Sequence, residues 1–126
     1  MSDGAILILL CFLQFKHMLA DYFFQTRFML EGRGARYLHA GTFVHAGVHA
    51  AGSFAAFSLI GVPPRLTVPL VLAEWAVHFH IDWLKGRYTI ARSLTPVDAG
   101  FWRLSGFDQA LHHLTYLGMI WVWVHR

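Results

Sequence analysis

The sequence predicts an all-α integral membrane protein, a four-helix bundle that forms a single domain over residues 1–126. Three observations lead to this prediction. Of the 126 residues, 56% are hydrophobic and only 13% are charged, whereas soluble domains carry about a quarter charged residues. Successive apolar segments each approach the roughly 20 residues that cross a hydrocarbon core. Within these segments, polar residues recur every four positions, which places them on one face of a helix.

The four helices follow one another with short connections. We expect the first over about 5–30, apolar in its first half and amphipathic in its second. The second, over about 38–60, is rich in alanine, glycine and phenylalanine. The third begins after a pair of prolines and covers about 66–85. The fourth covers about 107–124, which leaves 86–106 as the only long loop.

Basic residues predict the orientation in the membrane. Most of them fall near the first and third connections: Arg27, Arg33, Arg36, Lys85, Arg87, Arg92 and Arg103. The opposite side has only Arg65 and Arg126. Because cytoplasmic loops carry an excess of lysine and arginine, the first and third connections are expected in the cytoplasm. Both chain termini then lie on the non-cytoplasmic side.

Each predicted helix carries a polar stripe. The stripes are His17-x3-Asp21-x3-Gln25, His45-x3-His49, Glu74-x3-His78-x3-Asp82 and Asp108-x3-His112. With a rise of about 1.5 Å per residue, the predicted topology brings all four within roughly 20 Å of the cytoplasmic face. Ionisable groups are costly inside a bilayer and mark functional sites there. The stripes therefore predict one polar site in the cytoplasmic half of the membrane.

The residue types in these stripes favour metal binding. Imidazole and carboxylate together suit zinc, iron or manganese, of which we expect zinc, as one ion or two. The candidate ligands are His17, Asp21, His45, His49, Glu74, His78, Asp82, Asp108 and His112. A metal ion would activate water for attack, with Asp21 or Glu74 accepting the proton. Lys85, on the face of Asp82, would hold an anionic headgroup.

Several residues allow a simpler interpretation. Gln25, Thr42, Thr115 and Asp108 serve equally well as groups that hydrogen-bond between helices. Lys16 lies too deep to reach the membrane surface and off the face of His17, so a buried partner such as Glu74 is a candidate. The histidines outside the stripes receive no role: His39, His80, His113 and His125.

The predicted function is a metal-dependent membrane enzyme, a hydrolase of a lipid or of a lipid-linked phosphate or ester. Translocation of protons or metal ions is the alternative, because chains of histidine and carboxylate also form relays. A structural subunit of a membrane complex is the second alternative. Di-iron oxidation and haem binding rank lower. No interleaving of aromatic and basic residues suggests nucleic-acid binding, and a homo-oligomer is left open.

Together the motifs resemble a family of small bacterial membrane proteins catalogued as domain of unknown function 3307. The resemblance extends over nearly the whole chain and includes Lys-His-x3-Asp-x3-Gln from Lys16, His-x3-His from His45, Glu-x3-His-x3-Asp-x2-Lys from Glu74, and Asp-Gln-x2-His-x2-Thr from Asp108. It implies a multi-pass protein of the bacterial inner membrane and supplies no activity. More loosely, the chain is similar in style to membrane-embedded metal-dependent hydrolases, an analogy only.

Overall fold

The structure, a computed structural model, describes residues 3–126, and this part of the chain is helical with no β-strand. The all-α prediction is therefore confirmed. Five helices follow in order: α1 Asp3–Tyr22, α2 Arg27–Leu30, α3 Ala40–Leu59, α4 Pro64–Ala91 and α5 Ala99–Val124. The four long helices pack in chain order, α1 on α3, α3 on α4, α4 on α5 and α5 back on α1. The short α2 lies against α3.

The first helix is shorter than predicted. It ends at Tyr22 rather than near residue 30, and after a turn the chain forms α2 beside the start of α3. Gly41 permits this approach, because a Cβ atom there would overlap the carbonyl oxygen of Phe28. Hydrophobic periodicity carries no information about such a tertiary contact. The prediction therefore extended the first helix too far.

The predicted loop over 86–106 is largely helical instead. Helix α4 continues to Ala91 and α5 begins at Ala99, so the connection is only 92–98. The prediction ended α4 where its apolar run ends, but a helix can continue past the apolar stretch that crosses a membrane. The two helices thus form a hairpin that extends beyond the polar site.

The 92–98 connection has its own local hydrogen bonds. Ser93 has a positive φ of 51°, and the Asp98 carboxylate accepts hydrogen bonds from the Thr95 backbone N–H (2.7 Å) and hydroxyl (2.8 Å). These bonds hold the pKa of Asp98 below its usual value. The turn therefore ends α4 and starts α5 within seven residues.

Many polar side chains are buried in this bundle, and many large apolar side chains are exposed. Buried polar side chains include His17, Thr42, His45, His49, Ser53, Thr67, Glu74, His78, Asp82, Asp108 and His112. Large apolar side chains meanwhile point outward on every long helix, for example Phe15, Phe43, Leu72 and Leu114. At the end of the bundle away from α2, the interior is apolar and includes Leu9, Leu13, Phe57, Val71, Met119 and Ile120.

Among the described residues, one helix is long and apolar enough to cross a membrane. It is α1, near the N-terminus, whereas the sequence predicted four such segments. The other long helices carry most of the buried histidines and carboxylates, and these lower their mean hydropathy. A single helix of this kind is weak support for a membrane location.

The segment after α2 meets α4 at two glycines, which gives a first prediction. Gly34 has a φ of +79°, and a Cβ atom there would overlap the backbone of Gly86. A left-handed conformation costs a residue with a side chain about 1–2 kcal/mol, and the overlap adds to this cost. We expect Gly34→Ala to lower the free energy of unfolding by at least ~2 kcal/mol, measured by thermal unfolding in detergent.

The matched control is Gly118→Ala in α5, where an added Cβ meets nothing within 4 Å. Replacing an exposed helical glycine with alanine stabilises by about 0.5–1 kcal/mol, so this variant should unfold at the same temperature as the wild type or higher. If both variants lost the same free energy of unfolding, the contact between Gly34 and Gly86 would not be needed for stability.

Candidate metal centre

The carboxylate of Asp21, at the end of α1, contacts two histidines on one face of α3. Its Oδ1 lies 3.0 Å from Nε2 of His49 and 3.2 Å from Nε2 of His45. The two histidines are one helical turn apart, which is why both reach the same oxygen. Helices α1 and α3 are thus joined by a carboxylate with two imidazoles.

Asp82, in α4, is the second centre of this kind. Its Oδ1 lies 3.3 Å from Nε2 of His112 in α5, and its Oδ2 lies 3.6 Å from Nε2 of His78. His45 lies between the two carboxylates, since its Nε2 is also 3.5 Å from Oδ2 of Asp82. The stripes of all four long helices therefore meet in one cluster.

The cluster contains two groups of atoms with the proximity that a metal site needs. The first consists of Asp21, His45, His49 and His78, and the second of His78, Asp82 and His112. In each group, one ligand atom per residue lies within 4.8 Å of the others. Ligand bonds of about 2 Å separate two ligands of one ion by at most ~4 Å, so small side-chain shifts would suffice.

Whether a metal ion fits this cluster can be judged from the buried nitrogen atoms that lack a hydrogen-bond partner. Both ring nitrogens of His78 are buried without a hydrogen-bond partner, and a bound ion would engage one of them. Leaving a buried polar group unsatisfied costs about 1–3 kcal/mol. A divalent ion is the partner that imidazole nitrogens and carboxylate oxygens would share. The donor set fits such an ion, and His78 belongs to both groups.

Glu74 lies outside both groups. Its Oε1 accepts a hydrogen bond from the Lys16 ammonium group at 2.5 Å, which confirms Glu74 as the buried partner of Lys16. Lys16 also donates to the His49 carbonyl oxygen at 3.1 Å and lies 4.4 Å above the ring of Tyr116. Glu74 therefore neutralises a buried cation beneath the cluster through Oε1, whereas its Oε2 is buried without a hydrogen-bond partner.

His17 is also occupied by other partners. Its Nε2 donates to the Gln109 amide oxygen at 2.9 Å, so its Nδ1 accepts from the Tyr116 hydroxyl at 2.7 Å. The same Nε2 is 3.2 Å from Oδ2 of Asp21. With both nitrogens used, His17 orients the Asp21 carboxylate and belongs to neither ligand group.

Asp108 lies beside the second group without belonging to it. Its Oδ1 is 3.4 Å from Nε2 of His112 and has no hydrogen-bond partner. Its Oδ2 accepts from the Lys85 ammonium group at 2.7 Å and from the Gln109 amide at 3.2 Å. Lys85, predicted to hold an anionic headgroup, thus has a carboxylate as its partner.

A polar cavity of about 170 Å³ opens above the cluster. Its lining is Asp21, Tyr22, Gln25, Arg33, Asp82, Lys85, Asp108 and Gln109. Nη2 of Arg33 lies 3.6 Å from Oδ2 of Asp82, and Nε and Nη2 of Arg33 are buried without hydrogen-bond partners. This cavity, hereafter the polar cavity, gives a small molecule access to both carboxylates.

Sequence reasoning missed three residues of the site. Gln109 connects three carboxylate or imidazole groups, yet among the motifs it was noted only as part of a resemblance. Arg33 was counted with the basic connections and not with the stripes. Tyr116 gave no signal, because an aromatic residue in an apolar run is ordinary in a helix core. The off-stripe histidines occur in neither ligand group of the described residues, although His39 accepts from the Thr42 N–H and so caps α3.

The fold and site together define an all-α protein whose interior holds a histidine–aspartate cluster of metal-ligating type. Family comparison agrees with the motifs: the sequence model of the family described as "Protein of unknown function (DUF3307)" matches residues 7–125. The chain belongs to this family, as its motifs predicted. No curated protein and no solved structure gives a significant match.

The buried pair of Lys16 and Glu74 yields a second prediction. Removing one partner of a buried ion pair leaves an uncompensated charge and costs about 3–5 kcal/mol. We expect Lys16→Met to destabilise by this amount. The double variant Lys16→Met/Glu74→Gln should lose less than the sum of the two single variants, since neither charge remains.

A double-mutant cycle measured by chemical unfolding checks this prediction. A coupling between the two sites of about 1–3 kcal/mol is the expected result. Additive losses would mean that the two side chains do not interact in the folded protein.

Proposed function

We propose that this protein is a membrane-embedded, metal-dependent hydrolase that acts on a lipid or on a lipid-linked phosphate or ester. The observation that carries the proposal is His78, which is buried with both ring nitrogens unpartnered and belongs to both ligand groups. Such an arrangement is costly in a bare protein and favourable around a divalent ion.

The membrane part of the proposal rests on the surface. Large apolar side chains are exposed on all four long helices, and soluble proteins rarely expose continuous apolar surface of this extent. In a four-pass arrangement this surface contacts lipid, while the polar cluster is enclosed. By the positive-inside rule, the basic connections favour a cluster in the cytoplasmic half of the membrane, and in this proposal the membrane is the inner membrane of a bacterium.

Bound metal would activate water and polarise the bond to be hydrolysed. The two ligand groups would hold one ion or two, and their nitrogen and oxygen donors suit zinc, with iron or manganese as alternatives. His17 would hold Asp21 in position through its own two hydrogen bonds. Asp108 would accept the proton of the attacking water, because its Oδ1 is unpartnered and it lines the polar cavity. Glu74 also has an oxygen without a hydrogen-bond partner, Oε2, but it is not part of the lining of the polar cavity, so we favour Asp108 over Glu74 as the base.

Translocation of protons or metal ions is less favoured by the arrangement of the interior. Beneath the Lys16–Glu74 pair, the described part of the bundle is filled by apolar side chains such as Leu13, Phe57 and Ile120. Among the described residues, the buried polar side chains of this half are Ser53 and Thr67, and two hydroxyl groups are fewer than a path for a proton or ion through it would need. No observation in the structure favours the structural-subunit alternative.

Metal content is the first test of this proposal. We expect the purified protein, reconstituted with zinc, to retain one or two ions per chain by plasma mass spectrometry. His78→Gln should weaken zinc binding at least tenfold, because it removes the ligand common to both groups. His80→Gln is the matched control on the same helix: His80 is exposed and its ring contacts Tyr37 and the Ala76 carbonyl.

Glu74→Gln should keep its zinc, because Glu74 lies outside both groups. If the wild-type chain binds none of zinc, iron and manganese, the metal centre and the hydrolase mechanism are both rejected. Loss of metal in a Glu74→Gln variant that thermal unfolding shows to be folded would instead return Glu74 to the ligand set.

Hydrolysis is the second test. Metal-loaded protein in detergent is incubated with dioleoyl phosphatidic acid and with dioleoyl phosphatidylcholine, and released phosphate and fatty acid are measured. Because general-base catalysis contributes about 10²–10⁴-fold, Asp108→Asn should lower kcat at least 100-fold while keeping its metal. His80→Gln should retain full activity. If the metal-loaded wild-type protein releases neither phosphate nor fatty acid, the hydrolase proposal is contradicted. The proposed metal site is not affected by that result.

A further inference from the structure

An apolar groove runs along the outside of the bundle between α4 and α5. It has a volume of about 240 Å³, and its apolar lining is Ile81, Leu84, Tyr88, Leu104, Phe107 and Leu111. Two ionic residues complete it, Lys85 and Asp108, and both of them also line the polar cavity. The α4–α5 groove and the polar cavity thus share one ion pair in their linings.

We propose that the α4–α5 groove is the lateral portal for an anionic phospholipid. An acyl chain lies in the groove, and the phosphate group passes between Lys85 and Asp108 into the polar cavity, where Arg33 and Lys85 bind it. This inference rests on the proposed function and names the substrate class of the same site as a lipid phosphate.

The groove is suited to an acyl chain because of what faces outward. Leu84, Tyr88, Phe107 and Leu111 are all about half exposed or more, so in a bilayer this lining is continuous with the surrounding lipid. The wall toward the cluster is not apolar packing but the 2.7 Å contact between the Lys85 ammonium group and Asp108. Separating these two side chains joins the groove and the cavity without moving a helix.

Arg33 makes the polar cavity suitable for binding phosphate. Two of its guanidinium nitrogens are buried and have no hydrogen-bond partner, and guanidinium is the group that recognises phosphate through paired hydrogen bonds. A phosphate that binds Lys85 would also release Asp108 from its ion pair. The incoming headgroup thereby supplies the interaction that keeps the portal open.

The charge balance of the cavity makes phosphate binding depend on metal. Without an ion, the carboxylates of Asp21, Asp82 and Asp108 outnumber the two cations of the lining. A divalent ion at Asp21 or Asp82 makes the balance positive. Anions should therefore bind only to the metal-loaded protein.

A second groove continues the portal toward the basic hairpin. It shares Tyr88, Leu104 and Phe107 with the α4–α5 groove and adds Arg92 and Arg103. Basic residues beside a membrane attract anionic headgroups by about 1 kcal/mol each. They select anionic over zwitterionic lipid before the phosphate reaches Lys85.

The test uses zinc-loaded full-length protein in neutral detergent with phosphatidic acid that carries a photoreactive diazirine in one acyl chain. Crosslinked residues are identified by peptide mass spectrometry, and affinities for phosphatidic acid, phosphatidylcholine and inorganic phosphate are measured in parallel. We expect crosslinks concentrated at 81–88 and 104–111, and affinity for phosphatidic acid at least tenfold above that for phosphatidylcholine. Crosslinks spread evenly over all exposed apolar faces would overturn the portal.

Two groove-filling variants separate the groove from the rest of the surface. Leu104→Trp and Leu111→Trp should each weaken phosphatidic acid binding at least tenfold and leave both metal content and binding of inorganic phosphate unchanged. Leu72→Trp is the control, because Leu72 lines a different apolar groove beside Tyr37 and Trp75. Thermal unfolding identifies any variant that fails to fold, and unchanged phosphatidic acid binding in both folded groove variants would overturn the portal.

Two arginine variants test the headgroup site. Arg33→Gln should weaken binding of phosphatidic acid and of inorganic phosphate at least tenfold, whereas Arg36→Gln, outside the cavity lining and exposed, should leave both unchanged. Equal effects of the two variants would remove Arg33 from the proposal.

These outcomes are independent of turnover. Phosphatidic acid that crosslinks at the groove of metal-loaded protein but is not hydrolysed would support the portal and contradict the hydrolase. Hydrolysis with an unchanged KM in Leu104→Trp and Leu111→Trp would support the hydrolase and contradict the portal.

Discussion

Two carboxylates, the partly buried Asp21 and the buried Asp82, link the helices of this protein. A carboxylate removed from water is unfavourable unless charged or hydrogen-bonding groups surround it. Asp21 receives imidazoles from α3, and Asp82 receives them from α3, α4 and α5. Each of these contacts forms only when its helix has one particular rotation about its own axis and one particular position along that axis. The packing of four helices is therefore coupled to the composition of a single polar cluster.

The interior changes in polarity along the bundle axis. An apolar layer that includes Leu9 and Phe57 is followed by the Lys16–Glu74 pair, then by the histidine–aspartate cluster, and finally by the polar cavity with Arg33 and Lys85. Lys16 places a positive charge between the apolar layer and the cluster, and Glu74 neutralises it. The cluster is thus closed on one side and accessible on the other, which suits a site that binds a substrate and releases its products on the same side.

The sequence predicted well which helix faces carry the polar residues. It predicted poorly which side chains contact one another within the cluster. Spacing of four residues identified every carboxylate and histidine of both ligand groups, because helical periodicity follows from geometry alone. Partner choice depends on side-chain direction and on neighbouring helices. Spacing could therefore not show that His17 contacts Gln109 and Tyr116 or that Glu74 is engaged by a lysine. Arg33 was missed for a similar reason, since it reaches Asp82 only where Gly34 lies against Gly86.

The membership of His78 in both ligand groups limits how the cluster can act. With His78 the first group offers four protein ligands, which is typical of a closed structural site, whereas three ligands with an open position are typical of a catalytic site. Assigning His78 to the second group gives three protein ligands to each group, and both then have an open position. That second group adjoins Asp108, the carboxylate that also lines the polar cavity. Each group also supplies one carboxylate, Asp21 or Asp82, to the lining of the polar cavity, so a substrate in the cavity would reach both groups.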